Sequence, residues 1–150
     1  MQATNTKALH DAFVTAIRGI TPRYTYLASS TWHHAPAMRD TEIEGAPLRN
    51  FYLEFSPAQP TDLFFGQGQS YTATLRVWTS YAAVDPAQLD HMITADTIDL
   101  WQTFEGLLDP TTDGLFSCEI EGVDIDGADV DEAGNVRLAH VFRCDWNQEL

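Results

Sequence analysis

The stretch that most restricts the fold is NVRLAHVFRCDW, residues 135–146. Val136, Leu138, His140, Phe142, Cys144 and Trp146 alternate with Arg137, Ala139, Val141, Arg143 and Asp145. A period of two places the first set on one face of a strand and the second on the other. The preceding stretch LFSCEIEG alternates too, with Phe116, Cys118 and Ile120 on one face and Glu119 and Glu121 on the other. After Gly122 the parity flips to Val123 and Ile125, and a β-bulge at Glu121–Gly122 returns both to the core face. One antiparallel register then satisfies both faces. Cys118 faces Cys144, Ile120 faces Phe142, Glu119 faces Arg143, and beyond the bulge Val123 faces His140 and Asp126 faces Arg137. A slip of one residue would turn every apolar side chain to water, so this register is the expected one.

The remaining elements follow from local pattern. Leu9, Phe13, Ala16, Ile17 and Ile20 form a helical stripe, capped near Thr4–Thr6 and stopped by Gly19 and Pro22. Tyr24 to Leu27 suits a short strand. Residues 28–49 show no periodicity, and an irregular stretch of that length is expected to be functional or an extended arm. Strands are expected at 50–56 and 70–82, and Leu63–Phe65 suits a short edge element or a turn. In the long strand Tyr71, Ala73, Leu75 and Val77 share one face, while Thr72, Thr74, Arg76 and Trp78 share the other. Asp85-Pro86 opens a second helix that Asp109-Pro110 closes. Its buried stripe is Leu89, Met92, Ile93, Leu100, Trp101, Phe104, Leu107 and Leu108. Asp90, Asp96, Asp99 and Glu105 are assigned to its solvated polar face.

The 150 residues suit one domain, and 44% hydrophobic content is enough for a core. The net charge is −14, which disfavours gripping nucleic acid or an anionic membrane. It is unevenly distributed. Residues 1–75 hold six acids against five bases, whereas residues 76–150 hold sixteen acids against Arg76, Arg137 and Arg143. Such asymmetry reads as a solubilising surface, or as one that repels polyanions or attracts a basic partner. No apolar run is long enough to span a bilayer. MQATNTKALHD lacks the basic and apolar regions of a secretory signal, so the cytoplasm is the default location.

No catalytic motif is found. Cys118 and Cys144 face each other, but without a C-x-x-C they are expected to remain reduced, buried hydrophobes. The tip DIDGADVDEAGN is rich in carboxylates but fails the EF-hand spacing, so a solvated turn or a loop ordered on assembly is expected. His33 and His34 are adjacent, and His10, His91 and His140 are scattered, so no metal site is expected. Gly66-Gln67-Gly68 is too short a signal for phosphate binding. Neither catalysis nor a cofactor is expected.

The helix LHDAFVTAIRGI, the segment WHHAPAMRDTEIEGAPLRNFYLEF, the stretch SYTATLRVWTSYAAVDPAQLDHMITADTIDLWQTF and the ending VRLAHVFRCDW occur in that order. This pattern, covering nearly the whole chain, resembles the tail terminator proteins of long-tailed bacteriophages, also called tail completion or head–tail joining proteins. The resemblance implies an α+β fold, one antiparallel sheet flanked by two helices. It implies a ring, usually hexameric, that caps the finished tail tube, stops its polymerisation and meets the head connector. Location in the virion tail or neck follows, with assembly in the host cytoplasm. The major tail tube protein and a head completion protein are the implied partners.

That family offers no motif whose residues carry over, so the candidate residues are chosen on physical grounds. Trp32, His33, His34, Met38 and Arg39 in the long loop have the composition of subunit contacts. Asp96, Asp99, Glu119, Glu121, Asp124, Asp126, Asp129 and Asp131 are candidates for a negative channel lining through which DNA slides without sticking. Two other readings remain: another neck or head-completion protein, and a free-standing acidic binding or inhibitor protein.

Overall fold

The computed structural model describes residues 6–24, 31–35, 49–61, 68–81, 86–108, 115–130 and 136–149. The expected strand at Tyr24–Leu27 and the edge element at Leu63–Phe65 fall on residues 25–27 and 63–65, outside that set. Among the described residues the chain is an α+β domain of two helices and six strands. In order they are α1 (Thr6–Arg18), β1 (His33–His34), β2 (Asn50–Phe55), β3 (Gln59–Pro60), β4 (Gly68–Tyr81), α2 (Pro86–Glu105), β5 (Leu115–Val130) and β6 (Val136–Glu149).

The sheet runs β1-β2-β4-β6-β5, with β3 paired to β4 alongside β2. Only β1 and β2 pair in parallel. Pro57 lies between β2 and β3, where its missing N–H cannot serve a ladder. Ser56 bridges part of the gap: its N–H donates to the Thr74 carbonyl at 2.9 Å, and its Oγ accepts from the Thr74 N–H at 2.8 Å.

The terminal hairpin has the expected register over most of its length. Cys118 faces Cys144, Glu119 faces Arg143 and Ile120 faces Phe142. A shift between Ile120 and Gly122 then sets Val123 opposite His140. Gly122 has φ +132°, a conformation for which glycine alone is suited. Nearer the tip the register departs from expectation, because Asp129, not Asp126, lies opposite Arg137. Either residue would offer Arg137 a carboxylate, so charge does not choose between them. The pairing of Val130 with Val136 is adjacent to the turn and sets the register there.

Both helices join the same core. Leu9, Phe13 and Ile17 of α1, with Leu100 and Phe104 of α2, pack with Phe51, Leu53, Leu75, Val77, Phe142, Cys144 and Trp146. The Phe104 ring stands edge-on to Phe13 at 4.7 Å and to Phe142 at 4.9 Å, a favoured aromatic geometry. Helix α2 closes at Glu105, short of Asp109-Pro110, in a turn at Gly106–Leu107. Ile120, expected in the core, is 42% exposed, because β5 is the outermost strand of the sheet.

Candidate functional site

Two regions bring chemistry-bearing side chains together. The first is buried. Residues 92, 96 and 100 lie one turn apart on a helix. Asp96 therefore sits between Met92 and Leu100 on the core-facing side of α2, and all three are fully buried. This overturns the assignment of Asp96 to a solvated face. The base that compensates it comes from elsewhere in the chain. Arg49 Nε donates to Asp96 Oδ2 at 2.9 Å and to Oδ1 at 3.2 Å, and neither side chain exposes any surface.

Arg49 is held firmly at the entrance to β2. Its N–H donates to the Ser80 carbonyl at 3.2 Å, and its carbonyl accepts from the His33 N–H at 3.0 Å. A guanidinium nitrogen donates to the Tyr24 carbonyl. Its φ of 62° is left-handed, a conformation that costs a residue with a side chain about 1–2 kcal/mol. Asp99, also assigned to solvent, is 8% exposed. It accepts from Arg23 Nε at 2.5 Å and from the Arg23 backbone N–H at 3.1 Å.

A hydrogen-bonded relay runs inward from Asp96. Tyr81 OH donates to Asp96 Oδ2 at 2.9 Å and lies 2.7 Å from His140 Nε2. His140 Nδ1 lies 2.7 Å from Thr97 Oγ1, which is itself 2.9 Å from the Ile93 carbonyl. Burial raises the Asp96 carboxyl to about 6, against the pull of Arg49. Burial and the Arg49 charge hold His140 down to about 3, so it is neutral. Burial and the Asp96 charge keep the Tyr81 phenol well above its ordinary range.

Counting hydrogens then sets the tautomer. With Asp96 ionised, Tyr81 gives its single proton to Asp96. The 2.7 Å contact to His140 therefore needs an Nε2–H donor, and in the neutral ring Nδ1 accepts from the Thr97 hydroxyl once that hydroxyl turns from the Ile93 carbonyl, to which it donates at 2.9 Å. A proton added at Asp96 lets each bond reverse: Asp96 to Tyr81, Tyr81 to Nε2, Nδ1–H to Thr97, Thr97 to the Ile93 carbonyl. Tyr81, Asp96 and His140 expose no surface, so the relay stores a proton without meeting a solute.

The second region is open. Arg18, Thr31, Trp32, His33 and His34 line a cleft of about 460 Å³ at the β1 edge of the sheet. Trp32, chosen as a contact anchor, is instead 2% exposed and stands edge-on to Phe51 at 6.0 Å. Its indole N–H finds no hydrogen-bond partner among the described residues. His33 and His34 are exposed. The His34 ring lies 5.3 Å from Phe51 and 6.2 Å from His10. Burial, then the charges of His10 and Arg18, lower its pKa. Met38 and Arg39 lie outside the described residues.

At the opposite edge, Glu119 and Glu121 are exposed. Glu119 accepts from Arg143 Nη2 at 2.5 Å. Asp124 is half-buried, Asp126 and Asp129 are described only as backbone of β5, and Asp131 lies outside the described residues. No cluster of metal-ligating side chains occurs among the described residues. Cys118 and Cys144 are unbonded, their sulfurs 3.6 Å apart. No family model and no curated protein matches the chain.

Proposed function

We propose that this chain is a structural virion protein that caps a completed phage tail tube as a ring. The ring halts tube polymerisation and offers the head connector a docking surface. The reading starts from the sequence pattern described above, and the α+β fold is the one that pattern implies. The observation that carries it furthest is the terminal hairpin. At about 3.3 Å per residue, the 14 residues of β6 extend about 45 Å, and β5 beside them bears exposed carboxylates. An arm of that length, whose carboxylates outnumber Arg137 and Arg143, suits a passage that DNA must cross without adhering.

The location of the channel acids changes accordingly. Asp96 and Asp99 are paired inside the fold and are excluded from any lumen. The distal hairpin, from Asp124 toward the tip, takes that role. No catalytic step is proposed, because the relay of titratable groups found among the described residues is sealed from solutes.

Electron microscopy and native mass measurement of the purified protein test the reading, together with tube protein polymerised in its presence. Rings that arrest tube growth are expected. Rings that leave growth unchanged point to another neck component. A monomer that binds a basic protein tightly points to an acidic inhibitor.

A further inference from the structure

We infer that copies of this chain join head to tail, the Glu119-Ile120-Glu121 segment of one copy entering the Arg18–Trp32–His33–His34 cleft of the next. The inference rests on the ring reading above and specifies its subunit joint. Four observations converge on it.

The two surfaces lie at opposite edges of one sheet, β5 at one end and β1 at the other. Two different patches on one chain make a heterologous contact, the kind that generates rings when the rotation closes. The chemistry is complementary. Ile120 is the one large hydrophobic side chain exposed among the described residues, and two exposed carboxylates flank it. The cleft offers a guanidinium and two imidazoles beside the buried Trp32 indole. Binding energy concentrates where a side chain fills a desolvated pocket at the centre of a contact.

The faces also agree. Ile120 shares parity with buried Cys118, which places it on the helix-bearing face of β5. His34 pairs with core residue Phe51, its ring tilted against it at 5.3 Å, and lies near His10 of α1, so it too is on the helix-bearing face. Placing one copy's β5 beside the next copy's β1 brings Ile120 to His34 and Arg18. Strand alternation puts Glu119 and His33 together on the other face. Finally, the joint gives the asymmetric charge a use. The first half of the chain is nearly neutral and carries the cleft, while the strongly acidic half carries the plug.

Ile120→Glu disables the plug and Arg18→Glu disables the cleft, and Glu121→Arg is a second plug variant. All three sites are exposed. Each variant, confirmed folded by circular dichroism, should assemble at least tenfold more weakly than wild type by native mass measurement. Mixing Ile120→Glu with Arg18→Glu should produce a 1:1 pair and nothing larger, because one intact plug meets one intact cleft. Wild-type rings that survive all three substitutions would overturn this joint and leave the ring reading standing. A wild-type chain that stays monomeric would overturn both.

Discussion

Asp96 and Arg49 face each other at 2.9 Å in a position where neither has any contact with water. A pair so placed gains little over well-packed apolar residues, but removing one partner leaves a bare charge in the interior. Asp96→Asn should therefore destabilise the fold by about 3–5 kcal/mol, measured by denaturant unfolding. A loss below about 1 kcal/mol would mean that water reaches Arg49.

The same carboxylate gives stability a defined pH dependence. Its folded pKa of about 6 lies above its ordinary 3.8, so the folded chain holds a proton that the unfolded chain has released between those values. That contribution is complete below about 3.8 and is lost as pH rises through 6. His140 acts oppositely. Its pKa falls from 6.5 to about 3, so its contribution is present above 6.5 and is lost as pH falls toward 3. The two slopes oppose each other between 3.8 and 6. The Asp96→Asn variant lacks the first, so its deficit relative to wild type should widen by about 1.4 kcal/mol per pH unit as pH falls through that window. A constant deficit between pH 7 and pH 4 would contradict the assignment.

The relay has a spectroscopic signature. Imidazole nitrogen shifts should show His140 protonated at Nε2 above pH 7 and at Nδ1 below about pH 5, with no charged intermediate. An Nδ1–H tautomer at high pH would break the link between Asp96 and Tyr81 that the 2.9 Å contact requires.

These buried groups show where sequence reading succeeds and where it stops. The hairpin register was legible because alternation, the Gly122 bulge and the Glu119–Arg143 pair all demanded one alignment. Asp96 reads as solvated by residue type, whereas its spacing places it in the core. Met92, Asp96 and Leu100 recur every four residues, which marks a core position whatever occupies it. Arg49 and Arg23 carried no such signal. Each is distant in sequence from its partner, and only the folded topology brings them together.

Gly122 offers a test of the bulge itself. No atom lies within 4 Å of where a Cβ would stand, so Gly122→Ala meets conformational strain alone. Its φ of +132° sets the expected cost at about 1–3 kcal/mol in thermal or denaturant unfolding. A neutral substitution would show that Ile120 and Gly122 are not separated by a bulge.

The facing cysteines should be chemically quiet. Contact with Cys118, then burial, raises the Cys144 thiol well above its usual range, and the thiolate is the reactive form. Alkylation of the native protein should proceed no faster than unfolding. Rapid labelling at pH 8 would show that β5 detaches from β6.

The order of strands also governs when this molecule becomes itself. β6 comes last among the described strands, yet it sits between β4 and β5 and pairs with β4 along all 14 residues of that strand. During synthesis β4 keeps an open flank until residues 136–149 have emerged. The buried Asp96–Tyr81 chain lacks its histidine until then. β5 has no other strand to hold it in the sheet. A nascent or truncated chain without residues 136–149 thus lacks the strand that pairs with both β4 and β5.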